Sequence, residues 1–228
     1  MGPLRVAIVG ANGKIGHLLT AKLKNSKASF ATPVAIVRNE EQVKHFQDEM
    51  GVDASLASIE SATVPELQKA FTGCDAVVFT AGAGGKGVER IFTVDLEGCA
   101  KVVEACEKSG ISRFVIVSAI KAEDRDFWWG LEGLRNYYIA KKAADQYVRN
   151  SKLDWTILQP GFLDTNSGTG KLVPQDQLES KKDDNYRIQR EDVAEFIVQS
   201  LLHPAETKLK TISLANGDVP IADFIKSL

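Results

Sequence analysis

Leu4 to Asn25 reads LRVAIVGANGKIGHLLTAKLKN, and most of the fold follows from how this stretch is interpreted. Its first part is a run of aliphatic residues that stops at Gly10. From Lys14 onward, apolar residues recur at the spacing of one helix face. Glycines stand at 10, 13 and 16, between the strand-like run and the helical one. Gly10 allows a tight turn there. Gly13 lets main-chain amides approach a pyrophosphate, and Gly16 lets the helix pack closely on the strand. A bare glycine triplet means little. Placed between a strand and a helix N-terminus, it forms a cradle for a nucleotide's phosphates.

The same alternation continues along the chain. PVAIVR precedes EEQVKHFQDEM, and DAVVFTAG precedes a helix that ends in CAKVVEACEKSG, where Gly110 suits a C-cap. RFVIVSA, a helix holding NYYIAKKAADQYVRNS, DWTILQPG, REDVAEFIVQSLLH and TISLANG follow. The apolar runs are nearly continuous and do not alternate, which fits strands covered on both faces. Strands alternating with helices predict right-handed crossovers and a doubly wound α/β domain, with a mostly parallel sheet of about seven strands and helices on both faces. No linker or repeat interrupts the series, so residues 1–228 read as one domain. Two irregular stretches, around 121–133 and 162–186, follow strand ends on the edge where open parallel sheets bind ligands.

Composition sets limits. The 228 residues are 44% hydrophobic and 25% charged, with a net charge of −2, so neither nucleic acid nor an anionic membrane is expected as a partner. Cys74, Cys99 and Cys106 have no spacing that suits a metal site or a disulfide framework, and read as buried reduced thiols. No signal core or membrane-spanning run is visible, and the cytoplasm is the expected compartment.

The second strand bears on the cofactor. It ends in Arg38 and Asn39, where a site for NAD usually has an acid that binds the ribose hydroxyls. A guanidinium pairs with a 2′-phosphate that a carboxylate would repel, so NADP (as NADPH) is favoured. Glu40 and Glu41 look like the first turn of the next helix. Asp53, with Ala54 beside it, is read as following a short third strand, where it either accepts a bond from the adenine amino group or caps a turn.

The landmarks GANGKIG, DAVVFTAGAGG, RFVIVSA, YIAKKAAD, TILQPG and REDVAEFIV, in this order, make the chain resemble the short-chain dehydrogenase/reductases. The resemblance is to the small atypical NADP-binding group that includes biliverdin reductase B and flavin-reductase-like proteins, and is closest to a fungal branch. It implies a Rossmann fold in which Gly10, Asn12, Gly13, Lys14 and Ile15 meet the phosphates, with Gly16 beneath them. It further implies that Arg38 holds the 2′-phosphate, that Ala81 and Gly82 pass under the adenosine ribose, and that Pro160, Gly161 and Phe162 border the nicotinamide. Ser118 ends the strand that delivers the group's active-site serine. Asp95 stands where typical members have an active-site asparagine, and Gln159 where an arginine is frequent.

Tyr137 and Lys141 are four residues apart, and so are Tyr138 and Lys142. A helix advances 100° per residue. On that wheel Tyr137 falls with Ala140, Ala144, Tyr147 and Val148, beside Lys141. Tyr138 and Lys142 turn toward Asp145 and Arg149, a face that reads as solvated. Tyr137 and Lys141 are therefore the expected inward pair, and the resemblance gives the same register. With Ser118 they suit carbonyl reduction: the phenol donates a proton, the ammonium lowers the phenol's pKa and holds ribose hydroxyls, and the serine binds the substrate oxygen. The adjacent aromatics Phe127, Trp128 and Trp129 either wall an apolar substrate pocket, cover the core or make a subunit contact.

The expected activity is an NADPH-dependent reductase acting on a small carbonyl, quinone or flavin-like acceptor, as a monomer or homodimer and with no metal. The alternative is a regulatory protein that holds NADPH without turnover. An epimerase or dehydratase acting on a nucleotide sugar usually carries a larger C-terminal substrate domain. Here only about seventy residues follow the last landmark strand.

Overall fold

The structure is a computed structural model describing residues 2–228. Its strands are β1 (Val6–Val9), β2 (Val34–Val37), β3 (Asp53–Leu56), β4 (Ala76–Phe79), β5 (Arg113–Val117), β6 (Asp154–Pro160), β7 (Leu163–Asp164), β8 (Lys171–Leu172), β9 (Ile188–Gln189), β10 (Lys210–Leu214) and β11 (Val219–Pro220). Seven of them form one sheet in the order β10-β6-β5-β4-β1-β2-β3, with every pairing parallel. The chain winds outward from β1 to β3, then returns to β4 on the other side of β1. That reversal opens a crevice at the carboxyl ends of β1 and β4.

The continuous apolar strands are explained by two core layers. In β1, Val6 and Ile8 belong to one layer, and Ala7 and Val9 to the other. Both faces are dry, so no polar residue alternates with apolar ones.

The helices are α1 (Lys14–Asn25), α2 (Glu40–Lys44), α3 (Val64–Ala70), α4 (Val88–Arg90), α5 (Glu97–Ser109), α6 (Arg125–Trp128), α7 (Arg135–Arg149), α8 (Arg190–Leu202), α9 (Pro204–Thr207) and α10 (Ile221–Lys226). α1 packs on α8, while α5 packs between α3 and α7. Thr63 and Glu66 close a reciprocal capping box at the start of α3, worth about 1 kcal/mol. Gly110 ends α5 in the left-handed conformation its position predicts. Between α4 and α5, Ile91–Leu96 forms wider π-helical turns packed on α7, and these bring Asp95 beside Lys141.

The stretches after β5 and β6 carry short elements, α6 in one and β7 and β8 in the other. They are tied together: Lys121 Nζ lies 2.7 Å from Glu179 Oε1, and the Tyr186 hydroxyl donates to Glu179 Oε2 at 3.2 Å. Lys121 also sits over the rings of Phe127 and Tyr186. Lys121, Asn185 and Tyr186 all have left-handed backbones, with φ of 53°, 52° and 52°. For Lys121 and Tyr186 such a conformation costs about 1–3 kcal/mol each, whereas asparagine adopts it readily.

The three thiols are free and buried. Burial pushes the Cys74 thiol up to about 11, and raises those of Cys99 and Cys106 further. Among the described residues, no helix is long and apolar enough to cross a membrane, and no cluster of three His, Cys, Asp or Glu is arranged to hold a metal ion.

Candidate active site

A cleft of about 210 Å³ opens at the carboxyl ends of β1, β2, β3 and β4. Gly10 forms its floor with φ of +82°, and a Cβ there would lie 2.6 Å from the Ala81 main chain. A Cβ on Gly16 would lie 2.5 Å from Gly10 O, so turn and helix touch as the glycine spacing predicts. Gly13 precedes α1, whose N-terminus has neither a capping side chain nor an acid in its first turn. Its amides are therefore available to an anion. Ile15 is buried in the core, so what it offers a ligand is its main-chain N–H.

Arg38 lines this cleft, together with Asn12, Gln42, Ala81 and Gly82. Asn39 caps α2 by accepting from Gln42 N, which places Glu40 and Glu41 in the first helical turn. The sequence reading missed two further cations, Lys86 and Arg90. Arg90 pairs with Glu60 at 3.2 Å, and its Nε is buried without a partner. Their one sequence signal is position, shortly after the glycine-rich end of β4. This lining fits a dinucleotide: a glycine turn and free helix amides for phosphates, and cations at the ribose end.

Asp53 and Ala54 need correction. Asp53 starts β3 and does not follow it. In register with Val34, it lies at the sheet edge opposite the cleft, and its carboxylate pairs with Arg5 at 2.6 Å. Ala54 lies beside it in the same strand. Ala57, Ser58, Ile59 and Glu60, beyond the end of β3, line the cleft instead.

The second part of the site lies where β5 and β6 meet α7. Ser118 follows β5, is buried, and donates its hydroxyl to Asp145 Oδ2 at 2.8 Å. Gln159 Nε2 donates to the same oxygen at 3.1 Å and to Glu123 Oε2 at 2.9 Å. Lys141 is buried, donates to Val117 O at 3.1 Å, and lies 3.0 Å from Asp95 Oδ1. The latter is a charge contact and not an aligned hydrogen bond. Asp95 Oδ2 accepts from Ala83 N at 2.9 Å, which ties Lys141 to the loop under the cofactor cleft. Lys141 Nζ is 5.7 Å from the centre of the Tyr137 ring.

The helix faces depart from the wheel reading. Tyr138 and Asp145 are buried, not solvated, and Tyr147 is exposed. The cause is a neighbour outside the helix: Trp128 stacks on Tyr138, with ring centres 5.8 Å apart and planes 5° apart. Trp128 also donates Nε1–H to Ala122 O, so it belongs to the core. Trp129 is 51% exposed and lies under the Arg135 guanidinium. Phe127 packs edge-on against Tyr138 and Tyr186. Phe127 and Trp128 thus share one small cluster around Tyr138, while Trp129 faces outward, so the three form no single wall. Pro160 ends β6, Gly161 N donates to Leu214 O, and Phe162 is 57% exposed with Arg187 over its ring.

The electrostatics also differ from expectation. Burial raises the Tyr137 phenol's pKa above its ordinary value, although Lys141 pulls it down. The expected net lowering does not occur, because burial, with lesser contributions from Asp95 and Asp145, outweighs the ammonium. Burial acts to lower the Lys141 pKa, but Tyr137, Asp95 and Asp145 outweigh it and raise it. Burial pushes the Asp145 carboxyl up to about 6, against the hydrogen bonds from Ser118 and Gln159.

Comparison with known proteins agrees with this architecture. The profile of a family described as NAD(P)H-binding matches residues 10–204. UPF0659 protein YMR090W of Saccharomyces cerevisiae is 64% identical over 228 residues, covering 100% of both chains. A Bacillus halodurans structure, named as a candidate NAD-dependent epimerase/dehydratase, superposes with a TM-score of 0.84 at 36% identity, covering 99% of this chain and 100% of that one. The oxidoreductase ylbE of Lactococcus lactis does so with a TM-score of 0.86 at 31% identity, covering 99% and 96%. With a phosphate cradle at the sheet's switch point and a matching profile over most of its length, the chain belongs to the NAD(P)H-binding family and has a Rossmann-type fold.

Proposed function

We propose that the protein is an NADPH-dependent reductase of a small carbonyl, quinone or flavin-like acceptor. The observation that carries this reading is the continuity between a cofactor cleft lined by Arg38, Lys86 and Arg90 and the Tyr137–Lys141 pair, joined through Ala83, Asp95 and Lys141. The relative ylbE, named an oxidoreductase, supports it. NADPH, when bound, supplies the hydride. Arg38, with Lys86 in the same cleft, would pair with the 2′-phosphate, and the α1 amides would meet the pyrophosphate. Lys141 orients the nicotinamide ribose. Tyr137, held neutral by its burial, donates its phenolic proton to the acceptor oxygen as charge builds there, and regains a proton from water. Ser118 binds the same oxygen and fixes its angle.

A second reading, a sensor that holds NADPH without turnover, is favoured by one observation. The two groups expected to act with Tyr137 are already engaged, Lys141 by Asp95 and Ser118 by Asp145. A screen of NADPH oxidation over carbonyl, quinone and flavin acceptors, run beside calorimetric titration of the cofactor, separates the two. Acceptor-dependent oxidation supports the reductase. Tight binding with no acceptor consumed supports the sensor.

A further inference from the structure

We propose that Asp145 is a buried proton-binding site that sets the direction of the Ser118 hydroxyl, and so decides whether Ser118 can donate to an acceptor's oxygen. The part concerning the acceptor rests on the reductase reading above. The starting point is charge balance. The buried cluster behind the candidate site holds two carboxylates, Asp95 and Asp145, and one ammonium, Lys141. Lys141 lies 3.0 Å from Asp95. Asp145 is left with two neutral donors, Ser118 and Gln159, both on Oδ2, while its Oδ1 is buried without a partner. A buried carboxylate with one orphaned oxygen and no cation of its own is costly to keep ionised.

The other groups around Asp145 do not outweigh its burial. On its own helix, Lys141 lies one turn back and pulls the carboxyl's pKa down by less than burial pushes it up, Tyr137 lies two turns back, and Arg149 is committed to Glu123. Glu123, after β5, adds negative charge and reaches Asp145 only through the Gln159 amide. From α5 comes the neutral Cys99 thiol, and from the π-helical turns comes Asp95. Burial accordingly brings the Asp145 midpoint to about 6, so a proton enters or leaves near neutral pH.

That proton has a geometric consequence. A serine hydroxyl carries one hydrogen. When Asp145 is ionised, Ser118 gives this hydrogen to Oδ2 and shows only lone pairs to a ligand. When Asp145 is protonated, its O–H can donate to Ser118 Oγ, and the serine hydrogen is free for an acceptor's oxygen. Asp145 is thus a positioning residue that acts through Ser118.

The test combines infrared difference titration of the full chain with pH–rate profiles. The carbonyl stretch of a protonated carboxylic acid should fade through about pH 6 in the wild type and be missing in Asp145→Asn. In Ser118→Ala the midpoint should rise by about one unit, because the ionised form loses a donor. Gln159→Leu, which removes the second donor, should raise it as well and covers the case in which Asp145→Asn does not fold. With an acceptor in hand, wild-type kcat/KM should fall at least about tenfold between about pH 5.5 and about pH 7.5, and Asp145→Asn should flatten that fall. The proposal is overturned if no such band titrates between about pH 5 and about pH 7, if neither Ser118→Ala nor Gln159→Leu moves the midpoint, or if the alkaline fall persists in Asp145→Asn. If the infrared results hold and no acceptor is consumed, the reductase reading alone fails, and the proton site with its control of Ser118 stands.

Discussion

Lys141 Nζ lies 3.0 Å from Asp95 Oδ1, and both side chains are closed off from water. Removing one member of a buried pair leaves the other charge unpaired, which costs roughly 3–5 kcal/mol. Asp95→Ala also strips the Ala83 amide of its acceptor. Urea unfolding is therefore expected to show a loss of about that size. A loss below about 1 kcal/mol would mean that Lys141 finds another partner or gives up its charge.

Cofactor preference should rest on Arg38. A charge-assisted contact to a 2′-phosphate contributes roughly 1.5–3 kcal/mol, or about tenfold to a hundredfold in affinity. Calorimetry should find NADPH bound that much more tightly than NADH, with the difference reduced in Arg38→Ala. Equal affinities in the wild type would assign the ribose end to other residues.

The two adjacent tyrosines should separate activity from stability. Tyr137→Phe is expected to remove most turnover and leave NADPH affinity nearly unchanged, since the lost hydroxyl acts on the transition state. Tyr138 stacks on Trp128, so Tyr138→Ala is expected to cost roughly 3–5 kcal/mol of stability. Tyr138→Phe, which keeps the stack, should change little. A larger rate loss in Tyr138→Phe than in Tyr137→Phe would reverse the assignment.

Stability should depend on pH through Asp145. Its carboxyl is pushed up from 3.8 to about 6 in the fold, so the folded state holds this proton more tightly than the unfolded chain. The contribution is complete below about pH 3.8 and is lost as pH rises through about 6. Over that window the wild type should lose roughly 3 kcal/mol relative to Asp145→Asn. Paired urea titrations at both ends check this, and a difference independent of pH would show that Asp145 does not titrate there.

The parallel sheet was legible because its signals are local. LRVAIVG and the glycines after it lie side by side in the chain, and each strand's apolar run is visible without knowing its neighbours. β3 was harder. It lies at the sheet edge and is half-exposed, so no apolar run marks its limits, and Asp53 opens the strand that the sequence suggests it follows. The rotation of α7 was legible for Lys141 and Ala144 but not for Tyr138, whose burial depends on Trp128 in another element. Asp145 looked like a surface acid because its partners, Ser118 and Gln159, lie 27 and 14 residues away. A helical wheel shows only what a helix presents; what covers it comes from tertiary packing.

The buried cysteines give the protein a built-in gauge of its own opening. Cys99 and Cys106 both sit on α5, wholly enclosed between α3 and α7, while Cys74 lies shallower, at the end of the turn after α3. A thiol reagent can reach the deeper pair only when α5 lifts away, and burial keeps all three in the unreactive protonated form until then. The rate at which Cys99 and Cys106 become labelled therefore counts excursions of the sheet's covering layer, and Cys74 supplies a shallower reference within the same molecule.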